Sequence, residues 1–189
     1  MRIIAGEFRG RRLAAPAGLG TRPMLDRVRE ALFSTLADAV PGAAVLDLFA
    51  GTGSLGLEAL SRGAACARFC ERDRGALEAL RANVASLGLG DRVEIVPGDA
   101  LRPEVWPEDP VDLVLIDPPY PLLRERRGRR RLLDAAAALF DRHLAPGGAL
   151  VLHAHPRDLR AADFAPREAL ERTYGRTALW YLWKLDQAR

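Results

Sequence analysis

Cysteine, lysine and histidine are scarce in these 189 residues, and each scarcity excludes something. The two cysteines, Cys66 and Cys70, lie four apart on what reads as one strand. That spacing suits small buried apolar residues better than a disulfide or a metal-ligand set. The three histidines, His143, His153 and His155, fall into no metal-site or triad pattern and read as bystanders. No metal is expected. No apolar run nears the roughly 18 residues of a membrane span, and the opening stretch from Met1 to Arg9 has no signal-type apolar region. The chain is therefore expected in the cytoplasm, away from membranes. Repeats and low-complexity tracts are missing too, and the length suits one domain around one core.

Of the 28 basic residues, Lys184 alone is lysine. Codon usage produces such a bias, and so does selection for bidentate phosphate contacts and base stacking, which arginine makes better than lysine. The net charge of +3 conceals a polarity. Residues 1–30 hold seven arginines against three acids, a net of +4. Residues 124–131 hold six against one, a net of +5, which leaves −6 for the rest. A polyanion is the natural partner for two such stretches. Its candidate ligands are Arg2, Arg9, Arg11, Arg12 and Arg22 in the first, and Arg124, Arg126, Arg127, Arg129 and Arg130 in the second.

Strands and helices alternate along the chain. A weak hairpin around Gly6 to Gly10 precedes a loop from Pro16 to Gly20 and a helix from Pro23 with Val28, Leu32 and Leu36 on one face. Ala44–Phe49 reads as a strand that runs into Gly51-Thr-Gly53-Ser-Leu-Gly56 and then a helix. Glu71 follows 20 residues after Gly51, at the end of a second strand, which is the general layout of a nucleotide site. Asp47 selects among ligands. A carboxylate four residues before the glycine turn opposes a pyrophosphate but favours a cationic amino-acid end. With Glu71 on the ribose, S-adenosylmethionine meets both demands. Asp73 caps the next helix, with Leu77, Leu80, Val84 and Leu87 inward and Gly88 closing it. The third strand, Val93–Val96, ends at Asp99, which suits either an adenine amino group or a plain turn. A helix from Leu132 to Leu144 with Leu133, Ala136 and Phe140 inward, a strand Ala149–Leu152 and two alternating segments near 170–174 and 177–184 complete the series.

The fourth strand, Val111–Ile116, ends in Asp117-Pro118-Pro119-Tyr120. Two prolines force the backbone off the sheet rigidly at its carboxyl edge, where open α/β sheets bind ligands. The turn sets two acceptors, the Asp117 carboxylate and the Pro118 carbonyl, beside a flat aromatic ring. That combination suits a planar exocyclic amine: acceptors on its hydrogens raise its nucleophilicity, and the ring holds its base.

Together Asp47-Leu-Phe-Ala-Gly-Thr-Gly53, Glu71, Asp99 and Asp117-Pro-Pro-Tyr120 resemble the class I S-adenosylmethionine-dependent methyltransferases that modify exocyclic amines. Met1-Arg-Ile-Ile-Ala-Gly6, Arg9-Gly-Arg-Arg-Leu13 and Arg22-Pro-Met-Leu-Asp-Arg-Val-Arg-Glu-Ala-Leu-Phe33 are similar to the RsmD family of small-subunit ribosomal RNA guanine-N2 methyltransferases. Met24 and Ser34 depart from the family's usual Thr and Asn. The resemblance implies an α/β, Rossmann-like class I methyltransferase fold, a seven-stranded, mostly parallel sheet with helices on both faces and an antiparallel last strand. Residues 1–40 would form a basic hairpin and helix extension to a catalytic core over 41–189. It implies S-adenosylmethionine bound near Asp47, Phe49, Gly51, Gly53, Glu71, Arg72, Asp99 and Ala100, with transfer at Asp117, Pro118, Pro119 and Tyr120. The substrate would be a guanine of 16S ribosomal RNA in an assembled or partly assembled small subunit. Other readings are an adenine-N6 or cytosine-N4 methyltransferase, a nicotinamide oxidoreductase built on the same glycine turn, and a non-catalytic RNA-binding assembly factor.

Overall fold

The computed structural model describes residues 1–15 and 24–185. Its elements run α1 (Asp26–Thr35), β1 (Ala44–Leu48), α2 (Ser54–Ser61), β2 (Cys66–Glu71), α3 (Arg74–Leu87), β3 (Val93–Pro97), β4 (Val111–Ile116), α4 (Tyr120–Arg124), α5 (Arg126–Ala138), β5 (Leu144–Ala154), β6 (Leu170–Tyr174) and β7 (Thr177–Trp183). The strands form one sheet in the order β3-β2-β1-β4-β5-β7-β6. β3, β2, β1, β4 and β5 are parallel, and β7 runs against both its neighbours. The expected class I methyltransferase fold is what is found. β4 sits near the middle, which is why Val-Asp-Leu-Val-Leu-Ile is apolar on both faces and buried at all but Asp112. The strand order reverses between β1 and β4, the place where such sheets open a crevice at their carboxyl ends.

Two buried layers flank the sheet. One joins Leu46, Leu48, Val114, Ile116 and Leu152 to Leu132, Ala135, Ala136 and Leu139 of α5 and its extension. The other joins Val45, Leu113 and Val151 to Leu57 and Leu60 of α2, and takes in Ile3, Leu13, Val28, Leu32 and Leu36. The opening hairpin and α1 thus share the core of the sheet.

The hairpin is a single antiparallel bridge, Arg2 to Arg12, and it is stitched to α2. The Glu58 carboxylate accepts from the amides of Ile4 and Ala5 at 2.8 and 3.0 Å. The Phe8 amide donates to Ser61 Oγ, and Ser61 Oγ donates to the Ala5 carbonyl. Only glycine fits at position 6: φ is +82°, and a Cβ would stand 1.8 Å from the Ser61 carbonyl oxygen. Farther along, Asn83 of α3 accepts from the Ala14 amide at 2.7 Å and donates to the Ala14 and Thr52 carbonyls, so the arm is tied to the glycine turn.

Several expectations are corrected. The arginine stretch is helical: α5 begins at Arg126 and ends in a π-turn, Leu139–His143. Its buried face is Gly128, Leu132, Ala135, Ala136 and Leu139, while Leu133 and Phe140 are half-buried at its flank. Gly128 is needed because a Cβ would stand 2.6 Å from the Leu122 carbonyl oxygen, where α5 meets α4. β5 starts at Leu144, absorbing Ala145 to Gly148. Cys70 is buried, but Cys66 is exposed. Arg29, counted among the basic residues of the opening, is fully buried against Glu58 and Asp26. Pro16 to Pro23, with Arg22 and the expected loop, lie outside the described residues.

Candidate active site

Two turns meet at the switch point. The pairing of β1 with β4 ends at Leu48 opposite Ile116, and the Asp117 amide donates to the Leu48 carbonyl at 3.3 Å. The glycine turn after β1 and the Asp-Pro-Pro-Tyr turn after β4 therefore leave the sheet side by side. Phe49 begins the first of them at φ +59°, a conformation rare for a bulky residue. Strain of this kind, of order 1–3 kcal/mol, persists where the surroundings impose it and gathers at ligand sites.

Glu71 Oε2 accepts from the Gly51 amide at 2.8 Å, and Oε1 accepts from the Arg72 and Asp73 amides, each at 2.8 Å. A carboxylate has about four acceptor sites, so one remains for a hydroxyl. Gly51, at φ +56°, has nothing within 4 Å of where a Cβ would stand, so its turn is open to a ligand. Asp47 lies lower than expected. It is 1% exposed, beneath the turn, with Oδ2 accepting from the Gly56 amide at 2.8 Å. Burial pushes its carboxyl up to about 8, with the charges of Asp117 and Glu71 adding to the effect. Oδ1 has no partner among the described residues. With its proton retained at neutral pH and no surface with which to touch an ammonium, Asp47 serves the turn by fixing the start of α2 through the Gly56 amide. Gly53 caps α2 in the left-handed region. These residues fit an adenosine with a cationic amino-acid end.

At the β3 edge, Asp99 Oδ2 pairs with Arg131 at 2.9 Å, and Oδ1 accepts from the Leu101 amide at 3.2 Å. Partial burial pushes its carboxyl up, but the Arg131 and Leu101 contacts outweigh that and leave it lowered. The Ala100 carbonyl is taken by Trp106 Nε1 at 2.9 Å. Arg72 is exposed beside Glu71.

On the β4 side, Pro118 is buried, Pro119 caps α4, and Tyr120 stands 36% exposed at the lip. Desolvation and then the Asp117 charge raise its phenol, so the ring is un-ionised at neutral pH. Asp117 Oδ1 is 2.6 Å from His153 Nδ1. That is a correction, since His153 is no bystander: β4 and β5 pair Ile116 with Leu152, which makes Asp117 and His153 neighbours one step past the register. Two polar residues ending adjacent parallel strands were the available signal. His155 donates nothing to this cluster; its Nδ1 accepts from the Arg157 amide. Two concavities lie elsewhere, about 430 Å³ between the hairpin and α1 and about 280 Å³ near Asp112 and Gly148.

The basic residues divide. Arg129 pairs with Asp163 at 2.6 Å, Arg130 with Asp134 at 3.8 Å and Arg2 with Asp26 at 3.4 Å, while Arg11 donates to the Ser86 carbonyl at 2.7 Å. Arg9, Arg12, Arg124, Arg126 and Arg127 are exposed and form no salt bridge among the described residues. Arg124 and Arg176, the latter in the β6–β7 turn and not foreseen, both act electrostatically on the Tyr120 hydroxyl. Arg126 and Arg127 occupy the first turn of α5, where the helix dipole disfavours cations and welcomes an anion.

Comparison with known proteins agrees with this geometry. The family model described as conserved hypothetical protein 95 matches residues 1–183. Ribosomal RNA small subunit methyltransferase D of Escherichia coli K12 is 42% identical over 141 residues, covering 75% of this chain and 67% of its own. YlbH of Bacillus subtilis 168, provisionally named an rRNA methyltransferase, is 33% identical over 186 residues, covering 95% of this chain and 96% of its own. The solved structure of yhhF from Escherichia coli, provisionally named a methyltransferase, superposes with a TM-score of 0.83 at 34% identity over 99% of both chains. A family match over nearly the whole chain, on a sheet whose two site turns meet at the switch point, makes this chain a member of the conserved hypothetical protein 95 family, that of the RsmD methyltransferases.

Proposed function

We propose that this protein is an S-adenosylmethionine-dependent methyltransferase that modifies the exocyclic N2 amine of a guanine in 16S ribosomal RNA, presented by an assembled or partly assembled small subunit in the cytoplasm. The observation that carries the reading is the junction of the glycine turn with Asp117 and Tyr120 at the switch point, beside Arg124 and Arg176, which have no acidic partner among the described residues. The named relatives support ribosomal RNA as the substrate.

The bound cofactor supplies a methyl group on a sulfonium, an electrophile open to in-line displacement. Glu71, with one acceptor site left over from Gly51, Arg72 and Asp73, would hold ribose, and Asp47, bonded to the Gly56 amide, would keep the turn in shape beside the amino-acid end. Asp99, Phe49, Gly53 and Ala100 border the adenine and the turn. Asp117 presents Oδ2 to one amine hydrogen while Oδ1 is held by His153, and the Pro118 carbonyl takes the other hydrogen. Tyr120 stacks on the extruded base, offsetting the few kcal/mol that unstacking costs. No enzyme thiol takes part. Burial pushes Cys70 up to about 12, and Cys66 begins β2 at the end of the sheet opposite the site.

A turn of this kind serves any planar amine, so the base is decided by product. Incubation with methyl-labelled S-adenosylmethionine and either unmodified small subunits or naked 16S RNA, followed by digestion to nucleosides, is expected to yield N2-methylguanosine. Label in N6-methyladenosine or N4-methylcytidine overturns the guanine assignment, and no label on either substrate overturns the enzyme.

A further inference from the structure

His153 stands one residue before the end of β5 with 7% of its surface exposed, and its only part in the transfer step as derived above is its contact with Asp117 Oδ1. Its neighbours define it. Across β4 lies Asp117, with Nδ1 to Oδ1 at 2.6 Å. Tyr120 meets it edge-on, with ring centroids 5.9 Å apart at 69°. On the other side, β7 places apolar Leu179 opposite it. A ring nitrogen and a carboxyl oxygen approach this closely only with a hydrogen between them, and with Asp117 as the acceptor Nδ1 carries the proton and donates. Nε2 has no partner among the described residues. A histidine kept for packing has both nitrogens satisfied or is replaced by an apolar residue, because an unpartnered buried polar atom is costly. Here the single hydrogen bond goes to the carboxylate proposed to receive the amine.

We infer that His153 is a positioning residue for methyl transfer: its Nδ1 donation to Oδ1 locks Asp117 in the rotamer that turns Oδ2 toward the amine, and its ring edge holds Tyr120 upright for the base. The inference rests on the proposed function. In the step it serves, the amine nitrogen bonds to the methyl carbon as the carbon–sulfur bond breaks and the sulfonium becomes a thioether. The surplus proton on nitrogen passes to Asp117 Oδ2 and on to water.

The pair has two charge states, and Nδ1–H is present in both. With imidazolium it is neutral; with imidazole it carries −1 and accepts hydrogens more strongly. Burial alone presses the His153 ring down, but the charge and hydrogen bond of Asp117 outweigh it and leave the ring raised above 6.5. The other titratable groups around the pair are Asp47 beneath the turn, which keeps its proton up to about pH 8, and Arg124, Asp158 and Arg176 about Tyr120; β7 places the apolar Leu179 opposite His153. Turnover therefore rises as the pair loses its proton above that value, a step that belongs to the pair and not to one residue.

The test compares H153A, H153N and H153Q with the wild type. Asn can place an N–H near the Nδ1 position, whereas Gln places it near Nε2. Turnover and KM on the nucleic-acid substrate, S-adenosylhomocysteine affinity by calorimetry and the pH–rate profile are measured for each. H153A is expected to lower kcat about 100-fold, the scale of an ångström-sized misplacement of a reacting group, with KM and cofactor affinity unchanged. H153N is expected to recover at least about tenfold of that loss, H153Q to recover none, and the pH step to vanish in all three. If H153A does not fold, the contrast between H153N and H153Q decides. Rescue by H153Q equal to that by H153N, an H153A rate within about twofold of wild type, or a pH step that persists without the imidazole overturns the inference. A wild type that methylates a different exocyclic amine sinks the guanine reading and leaves this test intact. A wild type that methylates none sinks both.

Discussion

Asp117 and Asp47 are both acids at strand ends, 70 positions apart, yet they do opposite work. Asp117 is partly exposed, with Oδ1 on His153 and Oδ2 without a partner among the described residues; Asp47 is sealed under the turn. Replacing Asp117 by Ala is expected to abolish most methyl transfer while calorimetric cofactor affinity stays near that of the wild type; full turnover in D117A refutes its role. For Asp47 the sign of the pH dependence follows from its raised carboxyl. The folded state keeps the proton up to about pH 8, whereas the unfolded chain releases it near 3.8. The stability this proton confers is thus complete below the unfolded value and drains away as pH climbs through the window between the two. D47N retains an acceptor for the Gly56 amide and has nothing to ionise, so its melting temperature should gain on that of the wild type from pH 5 to 8. Parallel melting curves would show that Asp47 stays ionised in the fold.

At the scale of elements, the sheet was legible and the basic helix was not. Val111–Ile116 came out with its observed bounds, because an apolar run closed by two prolines admits one reading. α3 was legible from both ends: Asp73 accepts from the Ala76 amide at 2.8 Å, and Gly88 turns left-handed at φ +68°. D73A should cost about 1 kcal/mol by thermal melting, the usual worth of such a cap. α5 was misread at its start because six arginines hid a spacing of Gly128, Leu132, Ala135 and Leu139 that is helical, with the first of these filling its place by having no side chain. His153 was missed for another reason. Its partner is 36 residues away, and only the register of β4 on β5 joins them. The placement of α5 gives a prediction with opposite signs. R126A/R127A should weaken RNA binding and flatten its dependence on salt, since each lost phosphate contact removes nearly one from the slope. The same change should slightly raise the melting temperature, because it takes two cations off the positive end of a helix. R129A should do neither to the same degree, with its charge already met by Asp163.

In the molecule as a whole, Glu58 is where the hairpin, α1 and α2 come together. Its carboxylate receives two amides of the hairpin and the Arg62 side chain and neutralises the buried Arg29. E58A leaves the buried Arg29 with only the half-exposed Asp26 as a counter-charge, so the loss should be large, about 3–5 kcal/mol in denaturant unfolding, with the hairpin opened to proteolysis. A loss below 1 kcal/mol would mean that the Asp26 contact suffices for Arg29. The stitching also orders events during synthesis. Glu58, Ser61 and Asn83 all follow the hairpin and α1 along the chain, so the stitches that hold the hairpin to α2 and α3 form only after those helices are made. The hairpin's ties are thus completed in chain order, and it is Asn83, the last of the three, that joins it to the loop proposed to cradle the methyl donor.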